Sequence, residues 1–236
     1  MALSFAFPAD VVRPLVPSPL SLDLFNDMAF VTVAMVWARA MRPAALPAIL
    51  GSNFFLAGYR VFTRLQEPSG RRLRGLRILR SETDKQFMVF AGNLVTDYRY
   101  RRVDVQLQET GTDVHVRTQR AGQTTLDVSI NLAGGDVALP VGSPFADWSE
   151  ARRFAGPMPF TFSPAGDDRM VVVEGSRQHW EPRPVRVTAW RVAMFDDLPL
   201  CNATPVLANA FVVENVSYRW KRGRMLHFPP VPPENA

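Results

Sequence analysis

The sequence predicts a mainly β protein with two short helices, built as a single antiparallel domain. Apolar and polar residues alternate along most of the chain, β-branched residues are frequent in these segments, and turn-forming residues separate them. About ten such segments follow one another without a change in composition. Because an open sheet of that size would leave long unpaired edges, we expect it to curl into a partly closed barrel or a double sheet.

The predicted strands run from the N-terminal part of the chain almost to its end. They cover residues 21–25, 29–37, 59–65, 73–80, 103–107, 113–119, 126–132, 159–163, 170–174, 183–194 and 211–220. Turn-forming residues predict hairpins between neighbouring strands at residues 26–27, 68–70, 109–112, 122 and 164–167. Residues 220–224 are interpreted as a further, water-exposed hairpin turn.

Two segments have helical rather than strand spacing, residues 84–95 and 145–154. The first is expected to turn one apolar stripe to the core, formed by Phe87, Met88, Ala91, Leu94 and Val95. The second is expected to do the same with Trp148, Ala151 and Phe154. We predict one β-rich domain over residues 1–226, followed by a proline-rich tail at 227–236 that lacks a core-forming pattern.

The charge balance limits the chemistry that the chain can perform. Its 236 residues include 27 basic and 22 acidic side chains, and only two of the basic residues are lysines, Lys85 and Lys221. A mechanism that needs an amine nucleophile therefore has few side chains available, whereas recognition of anions by arginine has many. The single cysteine, Cys201, excludes an intramolecular disulfide and favours a reducing compartment.

The sequence also argues against a membrane location. The N-terminal stretch has no basic region and is interrupted by Pro8 and Asp10, so it does not fit a signal peptide. The most apolar run, residues 28–38, is about half the length of a spanning helix. We therefore expect a cytoplasmic protein with no membrane partner.

Three phrases of the sequence carry a resemblance to a known family. They are FFLAGYRVFT at residues 54–63, GLRILRSE at 75–82 and VTDYRY at 95–100, and a later His179-Trp180 pair looks like a shortened H-x-x-W element. Together they resemble the uncharacterised YqjF-like branch, a domain of unknown function, of the acetoacetate decarboxylase-like superfamily. Arg60 and one tyrosine match the branch pattern, whereas its acidic and asparagine positions are Leu56 and Gly58 here.

The resemblance implies an antiparallel, partly closed β structure of acetoacetate decarboxylase-like type with a central cavity. Superfamily members that decarboxylate β-keto acids use a Schiff-base lysine after the helix that corresponds to residues 84–95. The matching stretch here is Thr96-Asp97-Tyr98, which holds no lysine. Lys85 lies at the start of the helix, and Lys221 lies in a turn where water would keep it protonated. Schiff-base decarboxylation is therefore not expected, and no catalytic residue is assigned.

Arg60 is the leading candidate for binding a ligand. Strand alternation places Arg60 and Phe62 on one face, where a guanidinium beside an aromatic ring in a cavity could bind a carboxylate through two hydrogen bonds. The alternative is a surface arginine whose aliphatic stem packs on Phe62.

Further candidates follow the first predicted helix. Tyr98 and Tyr100 could donate hydrogen bonds to a ligand oxygen, with Asp97 beside them. Alternatively the two tyrosines pack in the core while the neighbouring arginines face water, and Asp97 serves as a turn residue or an arginine partner.

His179 and Trp180 complete the set of candidates. A histidine near a pocket could act as acid or base, although a loop histidine stacked on Trp180 explains the pair equally simply. The three histidines are scattered and there is one cysteine, so the sequence predicts no metal site. It contains no glycine-rich phosphate motif, so no cofactor is predicted.

An arginine-rich run is the main argument for a nucleic-acid partner. It consists of Arg71, Arg72, Arg74, Arg77 and Arg80. No stacking aromatic residues alternate with these arginines, which argues against that partner and favours a solvated strand edge.

Three hypotheses result from the sequence. The protein binds a small carboxylate in a cavity through Arg60 and tyrosines; or it is a non-catalytic binding or structural β protein with a filled cavity; or its basic surface binds nucleic acid. Whether it forms a homo-oligomer is left open.

Overall fold

The computed structural model describes residues 1–41, 51–156, 158–178 and 180–229. Its strands are β1 (Ala2–Pro8), β2 (Leu20–Leu22), β3 (Met28–Met41), β4 (Ser52–Gln66), β5 (Arg72–Thr83), β6 (Tyr100–Arg102), β7 (Asp104–Thr110), β8 (Asp113–Arg120), β9 (Gln123–Asn131), β10 (Phe160–Pro164), β11 (Arg169–Gln178), β12 (Arg183–Pro184), β13 (Arg186–Val192), β14 (Val206–Val212), β15 (Ser217–Trp220) and β16 (Arg224–His227). Its helices are α1 (Ala9–Val12), α2 (Gln86–Val95) and α3 (Trp148–Phe154). The predicted mainly β class is confirmed.

The strands form two sheets. The larger sheet has the order β12-β14-β1-β3-β4-β5-β10-β11-β15, with β2, β6 and β16 attached to β4, β5 and β11, and the smaller sheet has the order β13-β9-β8-β7. Strand pairing is antiparallel except where β6 and β10 run parallel to β5. The main hydrophobic core lies between the two sheets.

The alternation of β4 assigns its side chains to two different environments. Tyr59 and Val61 belong to the core between the sheets. Phe62 instead packs on the opposite face, in a second apolar cluster with Phe30 and Phe145 that α3 covers. Arg60 shares this second face because side chains two residues apart on a strand point the same way.

The larger sheet curls until its two ends approach each other. Neighbouring strands lie about 4.8 Å apart, so β14 and β11, six steps apart in the sheet, would be separated by about 29 Å if the sheet were flat. Trp180, directly after β11, nevertheless has its ring centroid 5.8 Å from that of Phe211 on β14. The expected partly closed architecture is therefore confirmed, and the face that carries Arg60 is the inner face of the curl.

Most predicted hairpins are confirmed, but two connections differ. The turns at residues 68–70, 109–112, 122 and 164–167 join antiparallel neighbours. β2 pairs with β4 rather than with β3, so the expected hairpin around residues 26–27 is reduced to a single bridge between Phe25 and Met28. Residues 221–223 do not form a hairpin either, because β15 and β16 both pair with β11 and follow each other along its edge.

Three strand predictions also need correction. β1 was not predicted, although Leu3, Phe5 and Phe7 are fully buried in the main core. The predicted strand at residues 183–194 is two strands, β12 and β13, which belong to different sheets. The predicted strand at residues 211–220 is also two strands, β14 and β15, because residues 213–216 leave the sheet between them.

The second predicted helix is confirmed and the first is confirmed only in position. In α3, Ala151 is buried, Trp148 and Phe154 pack on the second cluster, and Asp147 caps the helix by accepting a hydrogen bond from the Glu150 backbone N–H at 2.7 Å. The expected buried stripe of α2 is wrong, since Phe87 is 51% and Leu94 is 76% exposed; the side chain of Val95 is outside the described part.

The orientation of α2 has a local cause. A Cβ atom at Gly92 would lie 2.4 Å from the ring of Tyr100, so the helix approaches β6 through its glycine. The Asn93 side chain fixes this approach, because its amide donates to the Tyr100 carbonyl at 3.0 Å and accepts from the Tyr100 N–H at 2.7 Å. The apolar stripe consequently faces away from the sheet.

The arginine-rich run does not form a solvated edge. From Arg72 onward it lies on β5, which is flanked by β4 on one side and by β10 and β6 on the other. Arg77 is buried and pairs with Asp97 at 2.8 Å, and Arg80 pairs with Asp197 at 3.3 Å. Arg74 hydrogen-bonds the fully buried Asp23.

Within the described ranges, no helix has the length and apolarity to span a membrane.

Candidate functional site

Arg60 is a cation on the inner face of the curled sheet, and it forms no hydrogen bond or ion pair with the residues that the structure describes. Its Nε–H group is shielded from solvent and donates to none of them. No carboxylate among the described residues forms an ion pair with it, although the residue keeps some accessible surface. Burial lowers the pKa of Arg60, which is the response expected of a charge removed from water without compensation.

The floor beside Arg60 is made of small side chains. The guanidinium lies across Gly58, where an added Cβ would be 2.8 Å from Nε. Strand register extends this position across four strands, because Ala2 pairs with Ala34, Ala34 with Gly58 and Gly58 with Ser81. Directly opposed residues share a face. The guanidinium therefore lies over a floor of small side chains on these four strands, and the row ends at Tyr100, which pairs with Ser81.

Three of the four tyrosines of the protein lie within electrostatic range of Arg60. Tyr218, Tyr98 and Tyr100 all act on Arg60 and raise its pKa, which partly opposes the effect of burial. The Tyr98 hydroxyl lies 2.8 Å from the Thr161 hydroxyl, and the rings of Tyr98 and Tyr100 are 6.2 Å apart. Burial raises the pKa of Tyr98, and burial together with Tyr98 raises the pKa of Tyr100 to about 12. These phenols are therefore neutral hydrogen-bond donors at physiological pH.

A second arginine, Arg177, lies on the same face of the sheet as Arg60. Arg177 of β11 has its guanidinium carbon 5.1 Å from the ring centroid of Trp180 and 5.5 Å from that of Tyr218. It donates one hydrogen bond, to the Met158 carbonyl at 2.5 Å. Repulsion from the positive charge of Arg177 lowers the pKa of Arg60 further.

Further unpaired polar atoms lie nearby on the inner face. The Trp180 indole Nε1 and both amide atoms of Asn209 are buried and have no hydrogen-bond partner in the described part of the chain. Both residues line a crevice of about 10 Å³ together with Trp148 and Phe211. That volume is enough for a single water molecule or one polar atom of a ligand.

The structure separates the residues proposed from sequence. Arg60, Tyr98 and Tyr100 come together, and Trp180 joins them through Arg177. Phe62 is 3% exposed and belongs to the apolar cluster under α3. Asp97 pairs with Arg77, as the alternative interpretation expected. His179 lies outside the described residues.

The fold and the family agree with comparisons to known proteins. A model of the family DUF2071, described as an uncharacterized conserved protein, matches residues 1–214. The chain belongs to the DUF2071 family. This finding confirms the resemblance seen in the sequence, and no curated protein matches the chain significantly.

Solved structures similar to this DUF2071 protein are acetoacetate decarboxylase-like. An acetoacetate decarboxylase-like enzyme from Sphingomonas wittichii RW1 is 14% identical, with a TM-score of 0.55, covering 96% of this chain and 88% of that one. The acetoacetate decarboxylase from Legionella pneumophila is 8% identical, with a TM-score of 0.54 and coverage of 96% and 82%. The enduracididine biosynthesis enzyme MppR is 13% identical, with a TM-score of 0.59 and coverage of 96% and 86%. At these identities the likeness shows the fold.

The two lysines of this DUF2071 protein lie at the surface. The Lys85 ammonium is 3.4 Å from the Asp84 carboxylate, and its side chain is 45% exposed. The Lys221 ammonium is 2.8 Å from the Glu174 carboxylate, and its side chain is 59% exposed. Paired and hydrated ammonium groups of this kind are poor nucleophiles.

Sequence reasoning missed Arg177, Tyr218 and Asn209. Arg177 precedes the His179-Trp180 pair by two residues, and Tyr218 lies in a predicted strand. Neither position carries a signal of its own, because both reach Arg60 only through the curl of the sheet. Asn209 is a polar residue within an apolar strand, VLANAFV, and that contrast is a signal that sequence reasoning could have used.

The arrangement has the chemistry of an anion site. It offers two guanidinium groups and neutral phenols, and an indole N–H and a carboxamide lie next to them. In the described part of the chain, no group of three or more histidine, cysteine, aspartate or glutamate side chains is placed to hold a metal ion.

Proposed function

We propose that this protein binds a small organic carboxylate in a central cavity, with Arg60 as the anchor of the carboxylate. The observation that carries the proposal is the shielded Arg60 Nε, which has no partner among the described residues. An arginine that faces a protein interior is normally paired, because desolvation of an unpaired charge costs several kcal/mol. A carboxylate ligand would supply the missing partner through charge-assisted hydrogen bonds.

The surroundings of Arg60 support a small ligand. The row of Ala2, Ala34, Gly58 and Ser81 presents no bulky group in front of the guanidinium. Tyrosine hydroxyls beside it would donate hydrogen bonds to further ligand oxygens and so select for oxygen-rich molecules. Complexes of MppR with pyruvate are known, which is consistent with an oxo acid of similar size here.

The proposal does not include a lysine imine. Lys85 and Lys221 are exposed and paired with carboxylates, and the stretch that follows α2 holds no lysine. Any reaction at Arg60 would therefore have to proceed by polarising a bound carboxylate or carbonyl rather than by forming a covalent adduct with an amine.

A thermal-shift screen tests the proposal. Wild type, Arg60→Met and Arg64→Met are titrated with acetate, butyrate, pyruvate and acetoacetate. Arg64 is the matched control because it lies on the same strand and face but is 56% exposed and paired with Asp23. At least one carboxylate should raise the Tm of wild type and Arg64→Met but not that of Arg60→Met. Equal stabilisation of all three proteins would remove Arg60 from the proposal, and no stabilisation of any would favour a filled cavity.

Borohydride reduction tests the exclusion of an imine. Protein mixed with pyruvate or acetoacetate is treated with borohydride and analysed by mass spectrometry. We expect no adduct on either lysine, whereas capture on Lys85 would contradict this part of the proposal.

We also propose a cytoplasmic location, supported by the single, exposed Cys201, which has no disulfide partner. Cell fractionation with a tagged full-length chain tests this location, and recovery with the membrane or export fraction would contradict it.

A basic surface that binds nucleic acid is the weaker alternative, because Arg74, Arg77 and Arg80 are paired with carboxylates. Filter binding to DNA and RNA should show no steep dependence on salt.

A further inference from the structure

Arg177 is a second guanidinium without a carboxylate partner. It forms no ion pair within the described ranges, and its one hydrogen bond goes to a backbone carbonyl, that of Met158. Its guanidinium carbon lies over two aromatic rings, 5.1 Å from the ring centroid of Trp180 and 5.5 Å from that of Tyr218. A stacked guanidinium keeps its edge N–H groups available for hydrogen bonds, because stacking uses only the face.

Tyr218 contacts Arg177 and also lies within electrostatic range of Arg60. In the pairing of β11 with β15, Arg177 lies opposite Tyr218, and the Tyr218 hydroxyl packs on Gly175, where an added Cβ would be 2.0 Å from it. Register places Arg177 on the face that carries Arg60, because Phe62 pairs with Leu76, Leu76 with Thr161 and Thr161 with Val173, and Arg177 lies four residues beyond Val173 on β11. The electrostatic effect of Arg177 on Arg60 agrees with this placement. The curl of the sheet therefore turns two like charges toward each other on its inner face.

Two guanidinium groups on the same face repel each other, and more than one negative charge is needed to compensate both. A monocarboxylate can satisfy one of them. A ligand with a carboxylate at each end can satisfy both, and its short carbon chain would lie along the small side chains of the floor.

We propose that the preferred ligand is a short-chain dicarboxylate, with one carboxylate bound by Arg60 and the other by Arg177. This inference rests on the proposed function of the Arg60 site. It assigns Arg177 as a specificity-determining residue, and it predicts that ligand charge, and not only ligand size, decides affinity.

Calorimetric titration with matched pairs of acids tests the inference. Succinate is compared with butyrate and glutarate with valerate, because each pair shares its chain length and differs in one carboxylate. Wild type should bind the dicarboxylate about tenfold more tightly or better, as expected for one additional charge-assisted hydrogen-bonded pair. Arg177→Gln, whose amide can still donate to the Met158 carbonyl, should lose this preference, so that it binds the dicarboxylate no more tightly than the monocarboxylate of the same chain length.

A second variant distinguishes the loss of charge at Arg177 from a change in packing. Arg177→Lys keeps the charge but not the planar fork, so it should retain part of the preference for dicarboxylates, and circular dichroism should show all variants folded. If Arg177→Gln discriminates as wild type does, or if wild type does not discriminate, the dicarboxylate inference is wrong while the Arg60 proposal stands. If Arg60→Met binds both acids as wild type does, the proposed function itself fails.

Discussion

Replacing Arg60 by methionine should stabilise the ligand-free protein. Methionine keeps the length of the aliphatic stem but removes a charge whose Nε is shielded and unpaired. The full penalty for an unpaired interior ion is several kcal/mol, and we take about 1–3 kcal/mol because the residue keeps some accessible surface. The substitution also removes the repulsion between Arg60 and Arg177, which further stabilises the ligand-free variant.

The assay is thermal and urea unfolding of wild type, Arg60→Met and Arg64→Met without ligand. For a chain of this size, a gain of 1–3 kcal/mol corresponds to a Tm increase of roughly 2–12 °C. Arg64→Met should move the other way by about 0.5–1.5 kcal/mol, because it removes the 2.6 Å hydrogen bond to buried Asp23 from a partly exposed arginine. Destabilisation of Arg60→Met to the same extent as Arg64→Met would refute the reasoning and make Arg60 an ordinary structural arginine.

Three further predictions concern the remaining contacts. Asp23→Asn should destabilise the protein by about 2–4 kcal/mol in urea unfolding, because the Asp23 carboxylate is fully buried between two arginines. Asp196→Asn is the control, because this exposed residue should change stability by less than about 0.5 kcal/mol. Equal effects of the two substitutions would contradict the prediction. Between pH 10 and 12 the unfolded state ionises Tyr100 while the folded state keeps it neutral, so the free energy of unfolding should fall by up to about 3 kcal/mol. Tyr100→Phe should lack this part of the decline. An unchanged pH profile in Tyr100→Phe would show that Tyr100 titrates normally. Gly58→Ala should fold but bind carboxylates more weakly, because the added Cβ would displace the Arg60 guanidinium. Gly134→Ala is the control and should bind as wild type does, because the space around Gly134 is open. Equal affinity of the two variants would contradict the placement of Arg60 over Gly58.

The strands were predictable where their evidence is local. Residues 113–119 alternate cleanly and end in glycine-containing turns, and the structure places β8 at Asp113–Arg120. β1 has the same alternation in Leu3, Phe5 and Phe7, but it is short and its partners β3 and β14 are distant in sequence. The parallel pairing of β10 with β5 likewise has no local signature.

Burial was less predictable than secondary structure. The apolar spacing of α2 suggested a core-facing stripe, yet Gly92 and Asn93 determine which side meets the sheet, and Phe90 is 74% exposed. Periodicity identifies a helix but not the surface that receives it.

The candidate site was predictable in part. Arg60, Tyr98 and Tyr100 were found through strand alternation and the family resemblance, and the structure brings them together. Arg177 and Tyr218 were not found, because their approach to Arg60 depends on the curl of the larger sheet. Such curvature is a property of the whole sheet and not of any one strand.

The most direct test of the central claim is to observe the Arg60 guanidinium itself. In a protein labelled with ¹⁵N-arginine, the Nε–H signal that is absent from Arg60→Met belongs to Arg60. Titration with succinate and pyruvate should shift that signal in a saturable manner while the signal absent from Arg64→Met stays in place. If the Arg60 signal does not move at millimolar concentrations of either acid, or moves no more than that of Arg64, the claim that Arg60 anchors a carboxylate is contradicted.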